Sequence, residues 1–169
     1  ILPKLVDSTF FNSCDECAKV EVLQIIQQLI KKAPNEINDK KGIVDLMRKL
    51  TKVEEFSPSK MVALSLFAQF ATVYGAPPML ADYIYIPLIK LHSIFGEQRA
   101  IIKQTLDVVA PLLPNEPNSG WLVATKKQLI EDANSSLSLI HIWQFVVRHP
   151  ERFEEHQAFF IPKILAYLS

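Results

Sequence analysis

A chain of 169 residues, 49% of them hydrophobic, is long enough to bury a sizeable core and too apolar to be disordered. Its 18 basic and 18 acidic residues cancel, so no net field steers it toward nucleic acid or an anionic membrane, and the expected partner is a protein. Four glycines against eleven prolines disfavour phosphate cradles and tight β-hairpins and point to helices punctuated by proline.

Ile1 to Asn12 is apolar, carries Pro3 near its start and reads as the tail of one helix. Ser13 with Glu16 three residues on has the pattern of a capping box. The helix it opens turns Val22, Leu23, Ile26, Leu29 and Ile30 inward, leaves Gln24, Gln27 and Gln28 on a wetter side, and stops at Pro34. Asn38 or Asp39 caps the next, with Ile43, Val44, Leu46, Met47 and Leu50 at helical spacing. Ser57 before Pro58 is a cap followed by a first-turn proline, and Gly75 can close that helix in the left-handed conformation.

Pro77 and Pro78 open a further helix that runs toward Gly96, with Pro87 inside it. Glu97 to Leu113 follows, facing Ile101, Ile102, Leu106, Val108 and Val109 inward. Residues 114 to 120 form the main loop, Trp121 to Ala133 is helical with Lys126, Lys127, Glu131 and Asp132 on a wet face, and Glu154 to Leu168 closes the chain around Pro162. Between these lies Ser136 to Pro150, apolar around most of its circumference, with only Ser138, His141, Gln144 and Arg148 forming a polar stripe. Such a helix is expected to be enclosed by neighbours on nearly all sides. It is too short and too charged to span a membrane.

A short phrase recurs as Leu2-Pro3-Lys4-Leu5, Ile86-Pro87-Leu88-Ile89 and Ile161-Pro162-Lys163-Ile164. Two helical pairs in each gap give a period of about 40 residues, in the range of HEAT-type repeats. The expected fold is an all-α, HEAT-like solenoid of about four helical pairs plus one extra helix, with proline-bent helices alternating with straighter ones. A closed helical bundle is the alternative. The opening ILPKLV reads as the middle of a structured region, so residues 1–169 are expected to be one repeat segment of a much longer chain. Two cysteines without secretory features fit a reducing compartment.

Few constellations suggest chemistry. Cys14-Asp15-Glu16-Cys17 has no second pair to complete a four-ligand zinc site, and reads as two free thiols packed as small apolar groups. His149 and His156, with Glu151, Glu154 and Glu155 between them, mark a hydrated helix junction, and His141 a hydrogen-bonded structural histidine. His92 stands apart from the other histidines. Lysines 31, 32, 40, 41, 49 and 52 with Arg48 form a basic cluster, but Glu36, Asp39, Asp45, Glu54 and Glu55 interleave it, so it reads as a solvated face. No nucleophile elbow, phosphate loop or dinucleotide fingerprint occurs. No catalytic, cofactor-binding or metal-ligating residue is therefore assigned, no cofactor or small-molecule substrate is expected, and the protein-binding residues stay unassigned.

In the C-terminal third a succession runs from Thr105 to Pro114, then Trp121, then Thr125 to Asp132, then Leu139 to His149, then Phe159-Phe160-Ile161-Pro162. Over about residues 105 to 168 it resembles the central helical region of the TRRAP family, the very large pseudokinase scaffolds of histone acetyltransferase coactivator complexes. The resemblance implies a HEAT-repeat segment of a nuclear, non-enzymatic scaffold that holds acetyltransferase modules together and receives transcription activators. The implied partners are coactivator subunits and activators, without direct nucleic acid or membrane contact. Two further readings stay open: a helical-repeat region of an active related kinase, and a free-standing helical-repeat adaptor.

Overall fold

The structure, a computed structural model, describes residues 2–51, 57–75, 78–90, 97–131 and 136–168, and all the regular structure among them is helical. The first stretch forms two short helices, α1 (Leu2–Leu5) and α2 (Ser8–Ser13), because Asp7 supplies a cap in the middle of it. The Asp7 carboxylate accepts from the Phe10 amide at 2.9 Å. The expected capping box at Ser13 is absent. The Ser13 hydroxyl donates back to the Phe10 carbonyl at 2.6 Å, and Asp15 caps α3 (Glu16–Lys32) by accepting from the Ala18 amide at 2.8 Å.

Other punctuation follows the sequence closely. Asp39 accepts from the Gly42 amide at 2.9 Å at the start of α4 (Lys40–Thr51), and Ser57 from the Lys60 amide at 3.2 Å at the start of α5 (Pro58–Tyr74). Gly75 closes α5 with φ +74° and its amide bonded to the Ala71 carbonyl at 2.9 Å. Its ψ of 170° lies outside the left-handed helical basin, in a region open essentially to glycine alone. Next come α6 (Pro78–Ile89), which contains Pro87, and α7 (Glu97–Val109). Past Val109 the chain tightens into a 3-10 turn at Ala110–Leu112, where Pro111 has no amide to continue an α-helix. Then α8 (Gly120–Glu131), α9 (Ser136–Arg148) and α10 (Gln157–Leu168) follow, the last two joined by 3-10 turns at Pro150–Arg152 and Glu154–His156.

The helices stack in two rows. One row runs α3, α5, α7, α9; the other runs α4, α6, α8, with α10 joined to it where Lys126 of α8 lies over the ring of Phe159. Both helices with an internal proline, α6 and α10, belong to the second row, as the recurring phrase predicts. The repeat period is written in the long-range hydrogen bonds. Gln27 to Ser65 spans 38 residues, Asp82 to Trp121 39, Tyr85 to Thr125 40, Thr105 to Leu64 41 and Arg148 to Asp107 41. A solenoid of about 40-residue pairs requires that regularity, since each unit touches mainly its neighbours. It is the α-solenoid the sequence predicts.

One contiguous core threads the stack, from Leu23, Ile26 and Ile30 of α3 through Leu64 and Phe67 of α5 to Ile142 and Phe145 of α9. Its C-terminal half is a chain of rings. Tyr85 lies 5.8 Å from Trp121 and 5.2 Å from Phe145, Phe153 lies 5.4 Å from Trp121, and Phe160 lies 4.9 Å from Phe153. Such pairs add about 0.5–1.5 kcal/mol each beyond their area.

The enclosure expected of α9 holds on one side only. Leu139, Ile142, Phe145 and Val146 are buried, but Ile140 is 39% and Val147 74% exposed. The polar stripe also divides. Ser138 and His141 are buried, the latter with Nε2 3.3 Å from the Leu88 carbonyl of α6, whereas Gln144 faces solvent. Packing against α6 and α7 decides which side of α9 is covered, and its circumferential apolarity cannot.

Candidate interaction surfaces

Two kinds of polar site emerge: clasps between successive repeats, and exposed patches on the rows. In the first row the Glu16 carboxylate accepts from the Ser59 amide at 2.8 Å, so a residue of α3 caps α5. That hydrogen bond is the largest influence on Glu16 and holds its carboxyl below the usual carboxylate range, against the opposing effect of burial. In the second row Asp82 of α6 accepts from the Trp121 amide at 2.5 Å and caps α8 in the same manner. Each carboxylate satisfies an orphan amide at the start of the next unit's helix and favours the positive end of its dipole. Sequence reasoning assigned Glu16 to its own helix and missed Asp82, because the partner lies about 40 positions downstream.

A third clasp gathers around Asp107 of α7. One of its oxygens accepts from Arg148 Nε at 2.8 Å and lies 2.8 Å from His149 Nε2. The other ring nitrogen of His149 is 3.7 Å from Glu151. Burial works against ionisation of Asp107, but hydrogen bonds and charge from His149 and Arg148 outweigh it and lower its pKa. Arg152 donates to the Leu113 carbonyl in the next turn. The expected hydrated junction at His149 is thus corrected. Its side chain is 14% exposed and ties α9 to α7. His156 is half-buried, while Glu154 and Glu155 face solvent.

The remaining sequence candidates do not converge. Cys14 is half-buried with its thiol 3.4 Å from the Phe10 carbonyl, and Cys17 is exposed, so only the first is packed as expected. Among the described residues no group of three or more His, Cys, Asp or Glu is placed to hold a metal. The basic cluster spreads over the end of α3 and along α4, with Lys40 over Tyr74 at 4.3 Å and Arg48 over Tyr83 at 5.3 Å. Lys52, Glu54, Glu55 and His92 lie outside the described residues, as does the stretch expected to carry α6 on to Gly96. No helix among the described residues is long and apolar enough to cross a membrane.

Two adjoining concavities among the described residues are chemically plain. A cleft of about 680 Å³ lies on the outer side of α3, lined by Glu21, Gln24, Ile25, Gln28 and Lys32 among others. It adjoins one of about 450 Å³ floored by Leu2, Ile25, Leu29 and Ile37. Neither brings together an acid, a base and a nucleophile in the manner of an active site. What the molecule presents is a broad helical surface held in fixed register by the clasps.

Comparison with known proteins accords with that architecture. A family model described as the Tra1 HEAT repeat ring region matches residues 3–169. The chain is 29% identical over 163 residues to the probable transcription-associated protein 1 of Dictyostelium discoideum, an overlap of 92% of this chain and 4% of the relative. It is 26% identical over 157 residues to the SAGA complex/NuA4 acetyltransferase complex subunit TRA1 of Saccharomyces cerevisiae, covering 89% of this chain and 4% of the relative. Against transcription-associated protein 1 of Drosophila melanogaster the identity is 28% over 151 residues, 80% of this chain and again 4% of the relative. The chain therefore spans about one twenty-fifth of these curated relatives. No solved structure is matched significantly. A match across nearly all of the sequence, on a chain whose helices pair in a 40-residue register, places it in the Tra1 HEAT repeat ring family.

Proposed function

We propose that these residues form one HEAT-repeat segment of a nuclear, non-catalytic scaffold that organises a histone acetyltransferase coactivator complex and receives transcription activators on its helical surface. The observation that carries the reading is the family match over residues 3–169, supported by the likeness to the yeast relative, a SAGA complex/NuA4 acetyltransferase complex subunit. The physical arrangement suits that role. Carboxylate clasps at Glu16, Asp82 and Asp107 fix each pair on its neighbour, so surface residues far apart in sequence are held at constant spacing. Amphipathic partner segments dock on such surfaces by laying an apolar face into a groove. No cofactor, metal or small-molecule substrate enters this reading, and the partners are proteins.

The test compares the full-length chain with one lacking this segment, each purified from cells. Loss of acetyltransferase subunits, or loss of capture of an acidic activation segment, from the shortened chain supports a direct role. Equal recovery of both by the two chains would reduce the segment to a spacer.

A further inference from the structure

We infer that His149 is a proton-operated latch between α7 and the turn that leads toward α10. With one proton on its ring it ties α9 to α7 alone; with two it also holds Glu151 and so fixes the Pro150–Arg152 turn. The inference goes beyond the scaffold reading and does not depend on it. Three observations carry it. Each ring nitrogen faces a different carboxylate, Nε2 lying 2.8 Å from Asp107 Oδ1 and Nδ1 3.7 Å from Glu151. The two carboxylates belong to different elements, α7 and the 3-10 turn. The ring is 14% exposed and lies 5.0 Å from the ring of Phe145, so packing fixes which nitrogen meets which acid.

A carboxylate only accepts, so the contact with Asp107 puts a proton on Nε2. Asp107 stays ionised for this purpose: although burial opposes it, the hydrogen bonds from His149 and Arg148 hold its carboxyl below the ordinary 3.8. In the neutral ring Nδ1 is then a bare acceptor facing the acceptor oxygens of Glu151, and nothing draws the two together. A second proton turns Nδ1 into a donor, and the 3.7 Å separation becomes an ion pair able to shorten into a charge-assisted hydrogen bond. Glu151 is able to respond because it is 63% exposed on a three-residue turn, whereas Asp107 is also anchored by Arg148.

The charged groups around the ring are Asp107 and, one turn before it, exposed Lys103 on α7, Arg148 on α9, and Glu151 and Arg152 on the turn. Among the described residues no other carboxylate lies within ion-pair range of the ring. Arg148 shares Asp107 Oδ1 with the ring and opposes the second proton, while Arg152 is engaged by the Leu113 carbonyl. Against them stand two carboxylates, one at each nitrogen. The hold on Glu151 is therefore present where the ring carries both protons and is lost as pH rises. The Arg152 and Phe153 amides, which donate to the His149 and Pro150 carbonyls at 3.0 Å, lose protection with it.

The experiment is hydrogen exchange of the full-length chain in its natural complex, read by mass spectrometry and corrected for the intrinsic pH dependence of exchange. Between about pH 8 and about pH 6, the range in which histidines change charge, protection of the Glu151 to Phe153 amides is expected to rise about fivefold. Peptides from α3 should show no such change. Glu151→Gln should bring the ratio below about twofold, because an amide can bond either form of the ring, and His149→Gln should bring it to about one. If His149→Gln is poorly folded, Glu151→Gln carries the test alone, its side chain being exposed. A merely structural His149 would lower protection equally at both pH values when replaced. A ratio near one in the unaltered chain overturns the proposal, as does an undiminished ratio in Glu151→Gln.

Discussion

Tyr85→Phe takes one oxygen out of the seam between α6 and α8. The Tyr85 hydroxyl lies 2.6 Å from Thr125 Oγ1, which itself lies 2.7 Å from the Trp121 carbonyl. A carbonyl only accepts, so the single Thr125 proton goes to Trp121 and Tyr85 must donate to Thr125. Complete burial pushes the phenol pKa far up and keeps that proton in place. Removing the hydroxyl leaves the ring contacts with Trp121 and Phe145 intact, so the loss should be that of one buried hydrogen bond, about 1–1.5 kcal/mol. Thr125→Val breaks the relay from the other side and strands the Tyr85 hydroxyl, at about 1–2 kcal/mol. The double variant should cost little more than Thr125→Val, a coupling of about 1 kcal/mol. Urea unfolding followed by Trp fluorescence reads the cycle, and hydrogen exchange of the α8 amides reads it locally, which matters because repeat stacks need not unfold in one step. Costs that simply add would show that the two hydroxyls form no relay and that the α6–α8 register rests on ring packing alone.

Asp107 gives a pH signature: its folded pKa is depressed from the ordinary 3.8, so its stabilisation is complete above that value and is lost as pH falls through the lowered one. Asp107→Asn should accordingly flatten the acid limb of a stability–pH curve, and an unchanged limb would remove the Arg148–His149 clasp from the account. Gly75→Ala should destabilise by about 1–2 kcal/mol in thermal melts, although open space surrounds the position, because a φ of +74° is costly for any side chain. Asp82→Ala should cost about 1 kcal/mol and raise exchange of the Trp121 amide selectively, with α5 amides unaffected; a spread of the effect to α5 would contradict a cap local to one interface.

Much of this fold is legible in the sequence. Ser57-Pro58, Asp39 and Gly75 carry their meaning within four residues, and the structure uses each of them to begin or end a helix. The phrase around Pro87 and Pro162 marks two helices of the second row correctly, although α8, which lies between them in that row, has no proline. What failed was whatever depends on the neighbouring repeat. Glu16 has an eligible partner within its own helix start but bonds 43 residues away. His149 looks like part of a charged turn until Asp107 arrives from α7. Ile140 and Ile142 have the same chemistry, and only the packing of the other helices buries one and exposes the other.

The central claim is that the pairs stack in an open row, each about 40 residues from the next. Spin labels at Gln24 on α3 and Gln144 on α9, both exposed, test it most directly by pulsed dipolar spectroscopy. Three successive helix-to-helix steps of about 8–10 Å predict a separation of about 25–30 Å or more. A closed arrangement that brings α9 back against α3 would place the labels within about 15 Å, and that result would contradict the account.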